Sequence, residues 1–257
     1  MATKKATTVS TDTSIEIQQI KTGRVGMCIR GTTPLIFNSM NAKVMRDLLL
    51  PKGKKTTAEK ASTLKHDPRA EFERSMNRYD GNSNPTRLFL PSTAFKKAAM
   101  TAALDLPGAK KSEIGRLLYI NGAQISIWGV PKLFMSVVRS ADMNRTPDVR
   151  TRAILDEWCC VLDVSFNLVK LRTQPVINLF SAAGITSGVG DFRQEKGAGS
   201  FGQFEICGSE DADFLRVQKS GGMLVQDAAI KAAAPYDGET AELLTWFDSE
   251  VKRRGAA

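Results

Sequence analysis

The sequence predicts an α+β fold: a ferredoxin-like core with insertions. Three observations predict it. Element signals follow the order strand, helix, strand region, strand, helix, strand, which is the split βαβ pattern. The periodicity switches cleanly between alternation, as in Val25-Gly-Met-Cys-Ile-Arg30, and helical spacing, as in the alanine-rich run Ser92–Leu104. Two polar stretches, 51–86 and 139–152, interrupt the apolar segments and read as insertions over the core, not as separate domains.

Residues 1–14 are Thr/Ser/Lys-rich and are expected to form a disordered tail. The core spans 15–208. Its first strand is predicted over Ile15–Arg30 and bends at Gly31-Thr-Thr-Pro34. A short helix is expected over Asn41–Leu50, capped by Asn38 or Asn41, and another over Asp67–Tyr79, with Asp67 as N-cap and Pro68 at the first helical position. Arg87–Ser92 reads as a strand running into the helix Ser92–Leu104, with Ser92 as its cap. Strands are expected over Gly115–Trp128, Lys132–Arg139 and Trp158–Val169, a helix over Val176–Ala183 stopped by Gly184, and a strand over Phe201–Ile206. Residues 209–257 form a C-terminal extension whose last helix, Gly238–Arg253, places Leu243, Leu244, Phe247 and Val251 on one face.

The chain has 257 residues, 42% of them hydrophobic, enough for a substantial core, and a formal net charge of +9. A protein this basic commonly meets a polyanion, most often nucleic acid; plain solubility is the alternative use of the charge. No apolar run is long enough to cross a bilayer, and the N-terminus lacks the apolar stretch of a secretory signal, so the cytoplasm is the expected location. Cys28, Cys159, Cys160 and Cys207 show no Cys-x-x-Cys spacing; three lie in strand-like runs, where cysteine acts as a small core residue. Neither a metal site nor a disulfide framework is expected, and no cofactor motif occurs.

The stretch Asn178–Ile206 carries the strongest signal. It places helix, glycines and strand in that order, the reverse of a dinucleotide fingerprint, and no Gly-Lys-Ser/Thr closes it as in a P-loop. What remains is a nearly side-chain-free loop, with Gly188, Gly190, Gly197 and Gly199, whose backbone can approach another backbone closely. Arg193 and Lys196 flank glycines whose amides could cradle a phosphate. Lys96 and Lys97 are expected in the first turn of their helix, where the macrodipole disfavours cations unless an anion approaches; simple exposure is the competing explanation for Lys97. Arg139, Arg145, Arg150 and Arg152, with Met143, make 139–152 a candidate protruding hairpin for phosphate contact and base stacking, or else a solvated loop with pairs such as Asp148–Arg152. The lysines 52, 54, 55, 60 and 65 read as a solvated charge run, which would add affinity without base specificity if it binds. His66, the only histidine, lies in the polar insertion next to Asp67-Pro68, no motif places a second acid, base or phosphate stabiliser beside it, and no nucleophile motif occurs, so binding without catalysis is expected.

Three motifs together resemble the RAMP superfamily, in its Cas7-like branch. Leu90-Pro91-Ser92-Thr93-Ala94-Phe95-Lys96-Lys97 resembles the superfamily's strand, small-residue turn and basic helix start. Gly188–Phe204 resembles its C-terminal glycine-rich loop, and Arg30–Ile36 looks like its first strand entering a polar turn. The motifs fall in the expected order and cover about half of the chain in pieces. Ser92-Thr93 replaces the usual Gly-Ser, and Asp191 puts a negative charge inside the loop, as in a divergent, phage-borne member. The resemblance implies a modified RRM fold and head-to-tail assembly into a filament or ring. It also implies single-stranded RNA or DNA lying across the subunits, and other effector-complex subunits as partners. Two alternatives stay open: a structural or inhibitory interaction protein of the same fold without nucleic-acid binding, and a metal-dependent nuclease using a loop aspartate, as some Cas7-like relatives do, with Asp47, Asp67 or Asp80 as candidates.

Overall fold

The computed structural model describes residues 19–39, 66–139, 147–196 and 199–255. In chain order the elements are β1 (Thr22–Gly31), β2 (Leu35–Ile36), α1 (Pro68–Ser75), β3 (Phe89–Pro91), α2 (Ser92–Ala102), α3 (Lys111–Leu117), β4 (Leu118–Ile120) and β5 (Gln124–Trp128). They continue with β6 (Pro131–Arg139), β7 (Pro147–Leu155), β8 (Cys159–Asn167), α4 (Thr173–Thr186), a 3-10 turn (Gln194–Lys196), β9 (Phe204–Cys207), α5 (Ala212–Ser220), α6 (Met223–Ala232) and α7 (Gly238–Gly255).

The main sheet runs β3-β5-β8-β1-β9, with β4 also pairing β8, and its ladders are antiparallel. Read as β1-α2-β5-β8-α4-β9, the core is a split βαβ repeated, with strand order 4-1-3-2. The α+β, ferredoxin-like expectation therefore holds at the level of topology. Alternation along β1 sends Val25, Met27 and Ile29 to the core face and Arg24, Cys28 and Arg30 to the outer face. On the core face they meet Leu162, Val164 and Cys160 of β8, and α2 and α4 cover them with Phe95, Ala98, Ala102, Val176, Phe180 and Ala183.

The chief insertion lies between the second and third core strands. There β6 and β7 pair over nine positions, from Pro131↔Leu155 to Arg139↔Pro147, and β2 joins β7 to make a second sheet. The predicted hairpin at 139–152 is the outer part of this longer one. Arg145 and Met143 lie outside the described residues, as do 1–14, the predicted helix 41–50 and the lysines of 51–65. Helix α1 lies along β7: the Ala153 amide donates to Ser75 Oγ at 2.8 Å, and the Thr151 amide to Glu71 Oε2 at 3.3 Å. Asp67 caps it as expected, Oδ1 accepting from the Ala70 amide at 3.1 Å, with Pro68 opening the helix; it ends at Ser75, not Tyr79.

Several boundaries differ from expectation for local reasons. β1 begins at Thr22 and residues 19–21 precede it outside any strand, while 15–18 of the predicted strand lie outside the described residues. Ser92 is the first helical residue, not a cap: Pro91 holds the cap position, and the Ser92 amide is satisfied by the Ala123 carbonyl at 2.9 Å. The predicted strand from Gly115 is instead the helix α3, followed by the separate strands β4 and β5; Gly115 lies against Met100 of α2, where any side chain would intrude. Gly184 does not stop its helix. It is buried inside α4, where a Cβ would overlap the Phe204 carbonyl, so the glycine permits helix and strand to cross closely. The stop comes at Gly188, with φ +65° and its amide returned to the Ala183 carbonyl at 2.9 Å. Phe201, predicted to open the last strand, precedes it in a single bridge with Arg193.

The C-terminal segment is bound into the sheet by one side chain. Gln226 of α6 is fully buried; its Oε1 accepts from the Arg87 and Leu88 amides at 2.7 and 3.0 Å, and its Nε2 donates to the Ile127 and Gly129 carbonyls at 2.8 and 3.0 Å. The side-chain amide acts as an extra peptide group between two chain segments. No described helix is long and apolar enough to cross a membrane.

Candidate nucleic-acid interface

The outer face of the main sheet is where an RRM stacks bases on aromatic side chains. Here the outward residues of β1 and β8 are Arg24, Gly26, Cys28 and Arg30 opposite Ser165, Asp163, Val161 and Cys159, with no aromatic among them. Arg24 pairs with Asp163, Arg30 with Glu205 and Asp213, and Arg216 of α5 with Glu157. Helix α5 covers part of this face, packing Phe214 and Val217 against Cys159, Cys28 and Cys207. All four cysteines are free thiols. Burial pushes the Cys159 thiol up to about 12 and Cys207 up to about 11, so both stay protonated near neutrality.

The hairpin and the glycine loop meet on another side of the molecule. Alternation puts Lys132, Phe134, Ser136, Arg150 and Arg152 on one face of the β6–β7 hairpin. That face adjoins the loop: Arg152 Nη1 pairs with Asp191, its Nη2 donates to Ser136 Oγ at 2.6 Å, and Phe134 touches Phe201 at a ring separation of 6.4 Å. Arg139 lies on the opposite face of the hairpin. The 3-10 turn then reaches α2, where Thr101 Oγ1 donates to Glu195 Oε1 at 3.2 Å. Lys97, one helical turn before Thr101, lies on the same stripe and is exposed. Three of the segments singled out in the sequence thus converge: the loop, the hairpin and the Lys96–Lys97 helix. The two lysines occupy the fifth and sixth positions of α2, so they stand in its second turn, not its first.

The glycines serve backbone packing. Val189 N donates to Gly202 O at 2.9 Å, Asp191 N to Ile36 O at 2.9 Å and Gly202 N to Pro34 O at 2.8 Å, while Gln203 N reaches Thr33 Oγ1 at 2.9 Å. Gly190 and Gly202 adopt φ of +82° and +70°, and a Cβ on Gly199 or Gly202 would overlap the carbonyl of Phe192 or Val189. Close approach of backbone to backbone, expected from the sequence, is thus realised within the chain itself. The amides of Val189, Asp191, Gly202 and Gln203 are thereby taken up by partners within the chain. Gly197 lies outside the described residues.

The arginines divide into two kinds. Arg152, whose side chain is 8% exposed, is a brace: it joins hairpin to loop through Asp191, which also accepts from Asn38 Nδ2 at 3.0 Å. The negative charge inside the loop therefore has a structural partner, and Asp148, the partner suggested by the sequence, lies 3.0 Å from His66 Nε2 instead. Arg193 folds back on its own turn, with Nε 2.9 Å from Glu195 Oε2 and Nη1 donating to Gly190 O at 2.8 Å. Arg150 and Arg139 are exposed and carry no ion pair among the described residues. His66 has partners that the sequence did not reveal: Glu71 lies 2.8 Å from its Nδ1, so two carboxylates hold the ring between α1 and the hairpin. Asp67 is occupied as a helix cap, Asp80 is exposed, and Asp47 lies outside the described residues.

An aromatic row went unnoticed in the sequence because its members are scattered. Phe192 and Phe201 of the loop lie 5.9 Å apart, Phe134 continues from Phe201, and Tyr236 of the α6–α7 connection lies 5.6 Å from Phe134. Lys132 Nζ sits 5.8 Å over the Tyr236 ring. Burial and the nearby carboxylates Asp156 and Asp237 hold the Tyr236 phenol above its usual range, so it remains a neutral hydroxyl.

No family model matches the chain, and no curated protein does. Among solved structures it is similar to Cmr6 from Pyrococcus furiosus, with 9% identity over 74% of this chain and 100% of that one, at a TM-score of 0.35. It is also similar to a subunit of the Type III-B Cmr-beta complex bound to cognate target RNA, with 10% identity over 71% of this chain and a TM-score of 0.32; the match spans 59% of that subunit. The fold is read from the strand order of the chain's own main sheet.

Proposed function

We propose that this protein binds single-stranded nucleic acid, as a Cas7-like RAMP protein would, on the surface formed by the β6–β7 hairpin, the glycine-rich loop and α2. The observation that supports it most is that the glycine-rich loop touches both the hairpin and α2, each of which carries an exposed cation, Arg150 and Lys97, and that a partly exposed aromatic row runs from the loop onto the hairpin. Phosphate neutralisation supplies affinity without base specificity, and aromatic side chains hold bases. Lys96, beside Lys97 on α2, adds to the positive charge of this surface. Binding without turnover, and head-to-tail assembly along the strand, complete the proposal.

Fluorescence anisotropy with single-stranded RNA, single-stranded DNA and duplex DNA over a salt series tests it. The expected result is single-strand preference, with log affinity falling at a slope of roughly −0.7 per neutralised phosphate. Sedimentation of the same samples reports assembly, and intact labelled RNA after incubation with divalent metal reports the absence of cleavage. No binding at low salt would overturn the proposal. The alternative is an interaction subunit that keeps the fold without the ligand. It is favoured by one observation: Arg152 and Arg193 are both committed to internal carboxylates.

A further inference from the structure

We infer that the row Phe192–Phe201–Phe134–Tyr236 is a base-stacking track, with Phe192 as its exposed entry, for the bases of a single-stranded nucleic acid; the inference rests on the binding function proposed above. Phe192 has φ of +51° and is 46% exposed. A bulky residue in the left-handed region is a backbone outlier, and here burial does not account for it. Glycine would fit the backbone at this place with less strain, and the loop uses glycine freely on either side. What phenylalanine adds is a ring held out at the loop surface, continuous with Phe201 behind it.

The surroundings select the occupant. Four rings in contact, separated by 5.6 to 6.4 Å, run from the loop across the hairpin, and none is fully buried. Lys132 stands over the far end at Tyr236, and Arg150 is exposed on the same hairpin face as Phe134. Rings alternating with cations suit a strand whose bases need flat apolar partners and whose phosphates need positive charge. The ring spacing exceeds the roughly 3.4 Å rise of stacked bases, so the track would hold bases splayed from one another, not a continuous stack. A duplex, with its bases already stacked, has no use for it.

The test uses the full-length protein and oligonucleotides carrying 2-aminopurine or an abasic site. Stacking on a ring quenches 2-aminopurine, so binding by the unaltered protein is expected to quench it. Replacing one contacted base by an abasic site should weaken binding roughly 5- to 150-fold. Phe192→Leu keeps an apolar side chain without the aromatic face and should weaken normal oligonucleotides by a similar factor, while leaving abasic ones and heparin unchanged. Phe192→Tyr should restore both affinity and quenching. Tight binding with no quenching, or equal affinity of Phe192→Leu and the unaltered protein, would overturn the track and leave the binding function standing. Absence of binding by the unaltered protein would overturn both.

Discussion

Arg152 separates a structural arginine from a ligand-binding one, and Arg152→Met tests the distinction. The side chain is 8% exposed and its partner Asp191 is 31% exposed. Removing one member of a fully buried pair costs about 3–5 kcal/mol, because a charge is left without compensation. Asp191 keeps its bond from Asn38 and reaches water in part, so about 2–3 kcal/mol is expected here. For a chain of this size that lowers Tm by about 4–12 °C. Methionine fills most of the arginine's volume, so the loss reports the orphaned carboxylate more than a cavity. Arg152→Met combined with Asp191→Asn should therefore recover about half or more of the loss, a coupling of about 1–2 kcal/mol between contacting residues. The assay is thermal unfolding by circular dichroism, alongside anisotropy with single-stranded RNA. The companion variant is Arg150→Glu, which should leave Tm within about 1–2 °C while weakening binding and flattening the salt slope by roughly 0.7 per lost contact. The reasoning fails if Arg152→Met leaves Tm unchanged but lowers affinity and salt slope as a lost phosphate contact would.

Further outcomes follow from the same structure. Gly202→Ala places a side chain at φ +70° against the Val189 carbonyl; with a left-handed penalty of about 1–2 kcal/mol and the loss of a hydrogen bond worth about 1 kcal/mol, the loop should exchange its amides faster in hydrogen-exchange mass spectrometry. Gln226→Leu strands the Arg87 and Leu88 amides and two carbonyls, so a loss of about 2–4 kcal/mol is expected in urea unfolding, where an unchanged midpoint would contradict the clamp. The raised thiols give a pH prediction with a definite sign. Cys159 and Cys207 have folded values of about 12 and 11 against an ordinary 9.0, so their contribution is fully present below pH 9 and is lost as pH rises toward 12. Tm should fall over that window, and Cys159→Ala should reduce the fall.

Local signals made much of the fold legible. Asp67-Pro68 announced the start of α1, the alanine-rich run announced α2, and alternation announced β1 and β8. The order of elements sufficed for the core topology, because crossover and hairpin connections leave few arrangements open. The failures came from contacts distant in sequence. Gly184 looked like a helix stop because its real reason, the Phe204 carbonyl, lies across the fold. Arg152 looked like a phosphate ligand because Asp191 is 39 residues away, and of the two carboxylates that hold His66 only Glu71 is near in sequence, Asp148 being 82 residues away. Gln226 had a signal that could have been read: a long polar side chain on the inward stripe of an otherwise apolar helix needs partners when buried. Phe192 had none, since nothing in a string of residues marks a positive φ at phenylalanine.

The placement of β1 has a consequence for how this protein is made. The first described strand is central in the sheet, flanked by β8 and β9, and its ladder begins with Thr22 opposite Asn167. During synthesis its partners among the described strands come late, one edge waiting for Cys159–Asn167 and the other for Phe204–Cys207. Such long-range pairing folds slowly and leaves an apolar ribbon available to neighbouring nascent chains. A fragment ending before Cys159 would carry that ribbon permanently, so premature termination of this message should yield aggregates, not a smaller folded protein.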